Sequence, residues 1–130
     1  MSLAYNFRDE PKYEIINGEM VMMTPSAGYS HMSVSNNVNT IFKKYLKGKK
    51  CQVIYEFDVH LTEKDTFKPD ITVVCNKDII KETGIYGTPD LIIEILSTYT
   101  AKRDRGYKKD IYELAGVKEY WIIDTKKPFC

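Results

Sequence analysis

Residues 91–96, Leu-Ile-Ile-Glu-Ile-Leu, limit what this chain can become more than any other stretch. The run is too short to cross a membrane and too continuous for a half-exposed strand. It suits a strand buried on both faces near the centre of a sheet. Such a strand needs a layer on each side. Glu94 stands inside the run with aliphatic neighbours on either side. An ionised carboxylate there costs several kcal/mol unless a cation answers it. Either a bound metal or a buried basic side chain is therefore expected beside Glu94.

The remaining pattern supplies the layers. Tyr13-Glu14-Ile15-Ile16 and Glu19-Met20-Val21-Met22 flank Asn17-Gly18. Type I′ turns favour this pair because both central residues need positive φ, so 13–24 reads as a hairpin. Glu14 and Glu19 read as solvated residues of it. Ser30 can cap a helix beginning at His31, with Val34, Val38, Ile41, Phe42 and Tyr45 as its apolar stripe and Gly48 at its close. Residues 51–62 alternate as one half-buried strand, a turn follows at 64–66, and 71–75 is a short apolar strand close enough to pair with it. The segment 76–89 reads as a connection with one helical turn near 79–82. Residues 100–115 read as a helix with Tyr107, Ile111, Tyr112 and Ala115 inward, ended by Gly116. The helix links 91–96 to a last strand, 119–124, and so favours a parallel pair.

At 130 residues the chain fits one domain, here 13–130 behind a flexible arm at 1–12. A formal net charge of +1 does not point to a nucleic-acid partner by bulk charge and leaves room for a local basic face. Cys51, Cys75 and Cys130 form no C-x-x-C pair and offer no zinc site. Cys51 and Cys75 read as reduced thiols in or near the core. With neither a membrane span nor a signal pattern, a cytoplasmic protein is expected.

Asp70 follows Pro69 at the start of the 71–75 strand, and a second Pro-Asp stands at Pro89-Asp90. Asp90 is four residues from Glu94 on one strand, roughly 13 Å away, too far to share an ion with it. Asp70, on a different strand, can approach Glu94 sideways. Asp70 and Glu94 are therefore the candidate oxygen ligands for a hard cation. Lys102, Lys108 and Lys109 are basic residues of the second helix. Lys108 shares its face with Ile111, Tyr112 and Ala115, Lys109 faces outward, and Asp104 sits one turn before Lys108. On pattern alone all three lysines are equally at home in solvent. His31 reads first as a helix-start residue, and second as a proton acceptor or a support to the metal ligands.

Taken in order, Lys68-Pro69-Asp70-Ile-Thr-Val-Val and Pro89-Asp90-Leu-Ile-Ile-Glu94-Ile-Leu-Ser97 resemble the PD-(D/E)xK nuclease superfamily. More narrowly, with Tyr13–Glu19, His31, Asp104, Lys108, Tyr112, Gly116-Val117 and Glu119–Asp124, the chain resembles the restriction-endonuclease family called Uma-two. The resemblance implies a restriction-endonuclease-like core, a central mixed sheet flanked by helices. It implies hydrolysis of phosphodiester bonds in DNA, with Mg²⁺ or Mn²⁺ on Asp70, Glu94 and the backbone carbonyl of Ile95. The superfamily's strand lysine is replaced by Leu96, and Lys108 looks like its relocated substitute, with His31 and Asp104 as supporting groups. The family continues into further strands beyond 119–124, so the chain is expected to lack its C-terminal strands. A symmetric homodimer would suit cutting both strands of a duplex. The rival expectations are a catalytically inactive module that binds nucleic acid or protein, and a structural Glu94–Lys108 ion pair without metal.

Overall fold

In the computed structural model, which describes residues 12–23, 28–96 and 102–125 (side chains from Arg105 onward in the last stretch), Asn17 and Gly18 take φ of 52° and 83°. This positive pair makes the two-residue turn between β1 (Tyr13–Ile16) and β2 (Glu19–Met22). Then come α1 (Gly28–Leu46), β3 (Gln52–Tyr55), β4 (Val59–Thr62), β5 (Asp65–Phe67) and β6 (Ile71–Val74). A 3-10 turn at Lys77–Ile79 leads into β7 (Ile80–Lys81) and β8 (Gly84–Tyr86). The order ends with β9 (Leu91–Leu96), α2 (Lys102–Ala115) and β10 (Glu119–Asp124). The expected arm at 1–12 lies, apart from Lys12, outside the described residues, as does Cys130.

The fold is mixed α/β. Its central sheet runs β10-β9-β6-β3, with β9 parallel to β10 and antiparallel to β6. Alternation along β9 sends Leu91, Ile93 and Ile95 to one face, where Val34, Val38, Phe42 and Leu46 of α1 cover them. The opposite face carries Ile92 and Glu94. There Ile92 packs against Phe67 of β5 and Ile111 and Tyr112 of α2, while Val74 of β6 meets Val59 and Ile85. That second layer is a further mixed sheet, β2-β1-β5-β4-β8-β7, with α2 beside it. The central strands are thus covered on both sides, which is why their sequence is so continuously apolar.

Several local readings change. The alternating stretch 51–62 is two strands in two sheets: β3 pairs with β6, while β4 pairs with β5 and β8. Glu56, at φ 43°, turns the chain between them, and alternation cannot register a single left-handed residue. Asp65, read as a turn residue, begins β5 and is buried, its carboxylate taking bonds from Asn17 N–H, Thr62 Oγ1 and Tyr107 Oη. The connection 76–89 holds the short pair β7–β8. α1 is already helical at Gly28, so Ser30 lies inside it rather than capping it. Leu46 takes the last inward place, while Ile41 and Tyr45 are both exposed, with Lys49 Nζ 3.7 Å above the Tyr45 ring.

The reduced-thiol expectation is also corrected. The β3–β6 register pairs Gln52 with Val74, and one residue further it sets Cys51 against Cys75, which form a disulfide. The cysteine argument for a reducing compartment goes with it. Among the described residues no helix is long and apolar enough to cross a membrane.

Candidate metal and ion-pair site

Asp70 stands at the residue before β6. The register pairs Ile71 with Ile93, so one step further Asp70 falls opposite Glu94. There its side chain takes over where the ladder ends: Asp70 Oδ2 accepts from the Ile95 N–H at 2.8 Å. The Glu56 N–H donates to the Asp70 carbonyl at 3.1 Å and fixes the approach. The N–H and C=O of an extended residue point to the same side, so the Ile95 carbonyl faces this same edge.

His31 Nε2 lies 3.0 Å from Asp70 Oδ1, with both side chains mostly buried. The hydrogen bond to Asp70 raises the His31 pKa; burial opposes it, and the charges of Asp70 and Glu56 and the Ile95 backbone add to it. The helix-start reading of His31 therefore gives way. It is buried against the sheet, holding the Asp70 carboxylate from behind.

On the other side of Glu94, α2 brings in Lys108. Its Nζ lies 3.6 Å from Glu94 Oε2 and 2.9 Å from Glu14 Oε1. Glu14 Oε2 also takes the Lys108 ammonium at 2.9 Å and the Lys68 N–H at 2.8 Å. Burial pulls the Lys108 pKa down, but the carboxylates of Glu94 and Glu14 outweigh it and raise it. Lys108 is thus a permanent cation. For Glu94, burial is the largest influence; Asp70 and Glu14 add to it, Lys108 opposes, and its pKa is pushed up to about 7.

Glu14 is what the sequence reading missed, since it was taken as solvated and is 6% exposed. The signal was present: Glu14 and Ile16 alternate onto one face of β1, and Ile16 packs against the core. Lys109 is exposed, 3.9 Å from Glu113. Asp90 accepts the Cys75 N–H at 2.7 Å and lies 3.4 Å from Lys118, a strand-end role. The side chains of Lys102 and Asp104 lie outside those described.

Among the described residues, no three His, Cys, Asp or Glu side chains gather as a preformed cage. Two carboxylates and a carbonyl still fit Mg²⁺ or Mn²⁺. These are hard ions that take oxygen ligands, and Mg²⁺ keeps several waters and is bound through one or two carboxylates. Asp70, Glu94 and Ile95 O are the atoms that could hold such an ion.

The family described as "Putative restriction endonuclease" (Uma2) matches residues 2–129. The chain belongs to the Uma2 family. This Uma2 chain is 27% identical over 112 residues to "Uncharacterized protein slr1290" of Synechocystis sp. (strain ATCC 27184 / PCC 6803 / Kazusa), a match spanning 85% of this chain and 58% of that protein. Its fold is shared with a crystal structure described as "a putative nuclease belonging to DUF820" from Anabaena variabilis ATCC 29413. That likeness has a TM-score of 0.76 at 21% identity and covers 88% of this chain and 66% of the other. The chain thus spans less than two thirds of either relative's length.

Proposed function

We propose that residues 13–130 form the nuclease domain of a metal-dependent endodeoxyribonuclease of the PD-(D/E)xK type, hydrolysing phosphodiester bonds in DNA. The observation that carries this reading is the register that sets Asp70 opposite Glu94, with the Lys108 ammonium 3.6 Å from Glu94. The family description and the nuclease-fold neighbour support the same reading. Mg²⁺ or Mn²⁺ would be held by Asp70, Glu94 and the Ile95 carbonyl. When bound, it supplies a Lewis acid for a phosphate oxygen and a lowered pKa for an attacking water.

The chain's own residues do the rest. His31 and the Ile95 N–H orient Asp70. Lys108, protonated throughout, offsets the negative charge that builds on the phosphate in the transition state. Glu14 keeps the ammonium at that place.

One observation favours the rival reading of a non-cutting module that binds nucleic acid or protein. Lys108 sits closer to Glu14 than to Glu94, so the cation is already engaged in a buried ion pair. Calorimetric titration of Mn²⁺ into the wild type, Asp70→Asn and Glu94→Ala, followed by plasmid cleavage, decides between the two. Binding lost in both folded variants, together with cleavage by the wild type, supports the nuclease. A folded wild type that binds no Mn²⁺ and leaves the plasmid intact overturns it.

A further inference from the structure

Tyr112 is fully buried in the second layer, one helical turn after Lys108 and on the same face of α2. Its ring is well packed, meeting Phe67 edge-on at 5.6 Å between centroids and Tyr120 at 4.8 Å. A phenylalanine would make the same ring contacts. The hydroxyl is another matter, since it is buried without a hydrogen-bond partner among the protein groups. A buried donor left unpaired destabilises the fold, so packing gives no reason for it to be there.

Its surroundings do. Tyr112 packs in one cluster with Ile92, and alternation along β9 places Glu94 next to Ile92 on that same face. Lys108, one turn back on α2, reaches to 3.6 Å from Glu94 Oε2. Burial, followed by the nearby carboxylate of Glu94, raises the phenol pKa, which favours its donor form. Glu94 for its part has acceptor capacity to spare. A carboxylate offers about four lone-pair sites, and Lys108 approaches Oε2 at 3.6 Å.

We propose that Tyr112 is a positioning residue for Glu94: its hydroxyl donates to the Glu94 carboxylate when that carboxylate turns to hold a divalent cation. The inference rests on the metal-site reading above. It assigns Tyr112 the outer partner that carboxylate ligands need if they are to keep one orientation, whose removal typically weakens metal binding by about 10- to 100-fold. The hydroxyl thus lowers the stability of the metal-free protein and is satisfied in the loaded one.

The test is Tyr112→Phe beside the wild type, with two readouts: thermal melting without metal, and calorimetric titration of Mn²⁺. The expected result is a melting temperature equal to or above that of the wild type, with Mn²⁺ bound about 10- to 100-fold more weakly. Unchanged Mn²⁺ affinity overturns the role of Tyr112 and leaves the Asp70–Glu94 site standing. A variant that melts lower, or fails to fold, overturns it too, because the hydroxyl then serves the fold. A wild type that binds no Mn²⁺ removes the metal site, and this inference with it.

Discussion

Both carboxylate oxygens of Glu14 lie 2.9 Å from Lys108 Nζ, joining the first hairpin to the second helix across 94 residues of chain. The same carboxylate receives the Lys68 N–H, two residues before Asp70. One side chain thus ties together the hairpin, the approach to Asp70 and the only cation that reaches Glu94 among the described residues. Removing one partner of a buried pair leaves an uncompensated charge, at a cost of about 3–5 kcal/mol. Glu14→Ala should destabilise the protein by that amount in urea denaturation. Glu14→Gln, which can still accept the Lys68 N–H, should lose less. Two variants as stable as the wild type would mean that the pair contributes nothing net.

Lys108→Ala separates the cation from the proposed metal ligands. Its loss leaves Glu14 and Glu94 facing each other without a counter-charge, so stability falls by about 3–5 kcal/mol at pH 8 and recovers as acid protonates Glu94. If Lys108 acts on the transition state, plasmid cleavage falls by about 100-fold or more while Mn²⁺ affinity stays near the wild-type value. Cleavage at the wild-type rate by the folded variant would remove Lys108 from the reaction.

Glu94 and His31 make stability depend on pH in the same direction. Glu94 is raised from 4.5 to about 7, so the native state binds its proton more tightly than the unfolded chain does. Its contribution is full below 4.5 and lost as pH rises through about 7. His31, raised above 6.5, likewise stabilises below that value and loses its contribution at higher pH. Thermal melting should therefore fall by several degrees between pH 5 and 8. Glu94→Gln should flatten the lower part of that decline, and Mn²⁺ should offset it at pH 8. A wild-type profile that rises across this window would contradict both shifts.

The Cys51–Cys75 disulfide closes a loop over a separation of 24 residues between the edge strand β3 and β6. By loop entropy it stabilises by about 3 kcal/mol. A reductant should lower the melting temperature of the wild type and leave a Cys51→Ala/Cys75→Ala double variant unaffected. Equal response of the two proteins would show that the bond does not form in solution.

What the chain determined by itself was local or strongly patterned. The Asn17-Gly18 turn follows from backbone sterics, the covered strand at 91–96 from its nearly continuous apolar run, and the parallel partner at 119–124 from the helix between them. The isolated acid at Glu94 announced a basic or metallic neighbour, and the buried Lys108 ammonium is one such neighbour. Tertiary structure alone decided the rest. Glu56 divides one alternating stretch between two sheets, a register brings Cys51 to Cys75, and a hairpin carboxylate read as solvated becomes the closest partner of Lys108. Periodicity tells which way a side chain points, but not what stands on the other side. For Glu14, His31 and the cysteines, chemistry depends on that second surface, supplied by chain 94, 39 and 24 residues away, and it exists only once the layers have met.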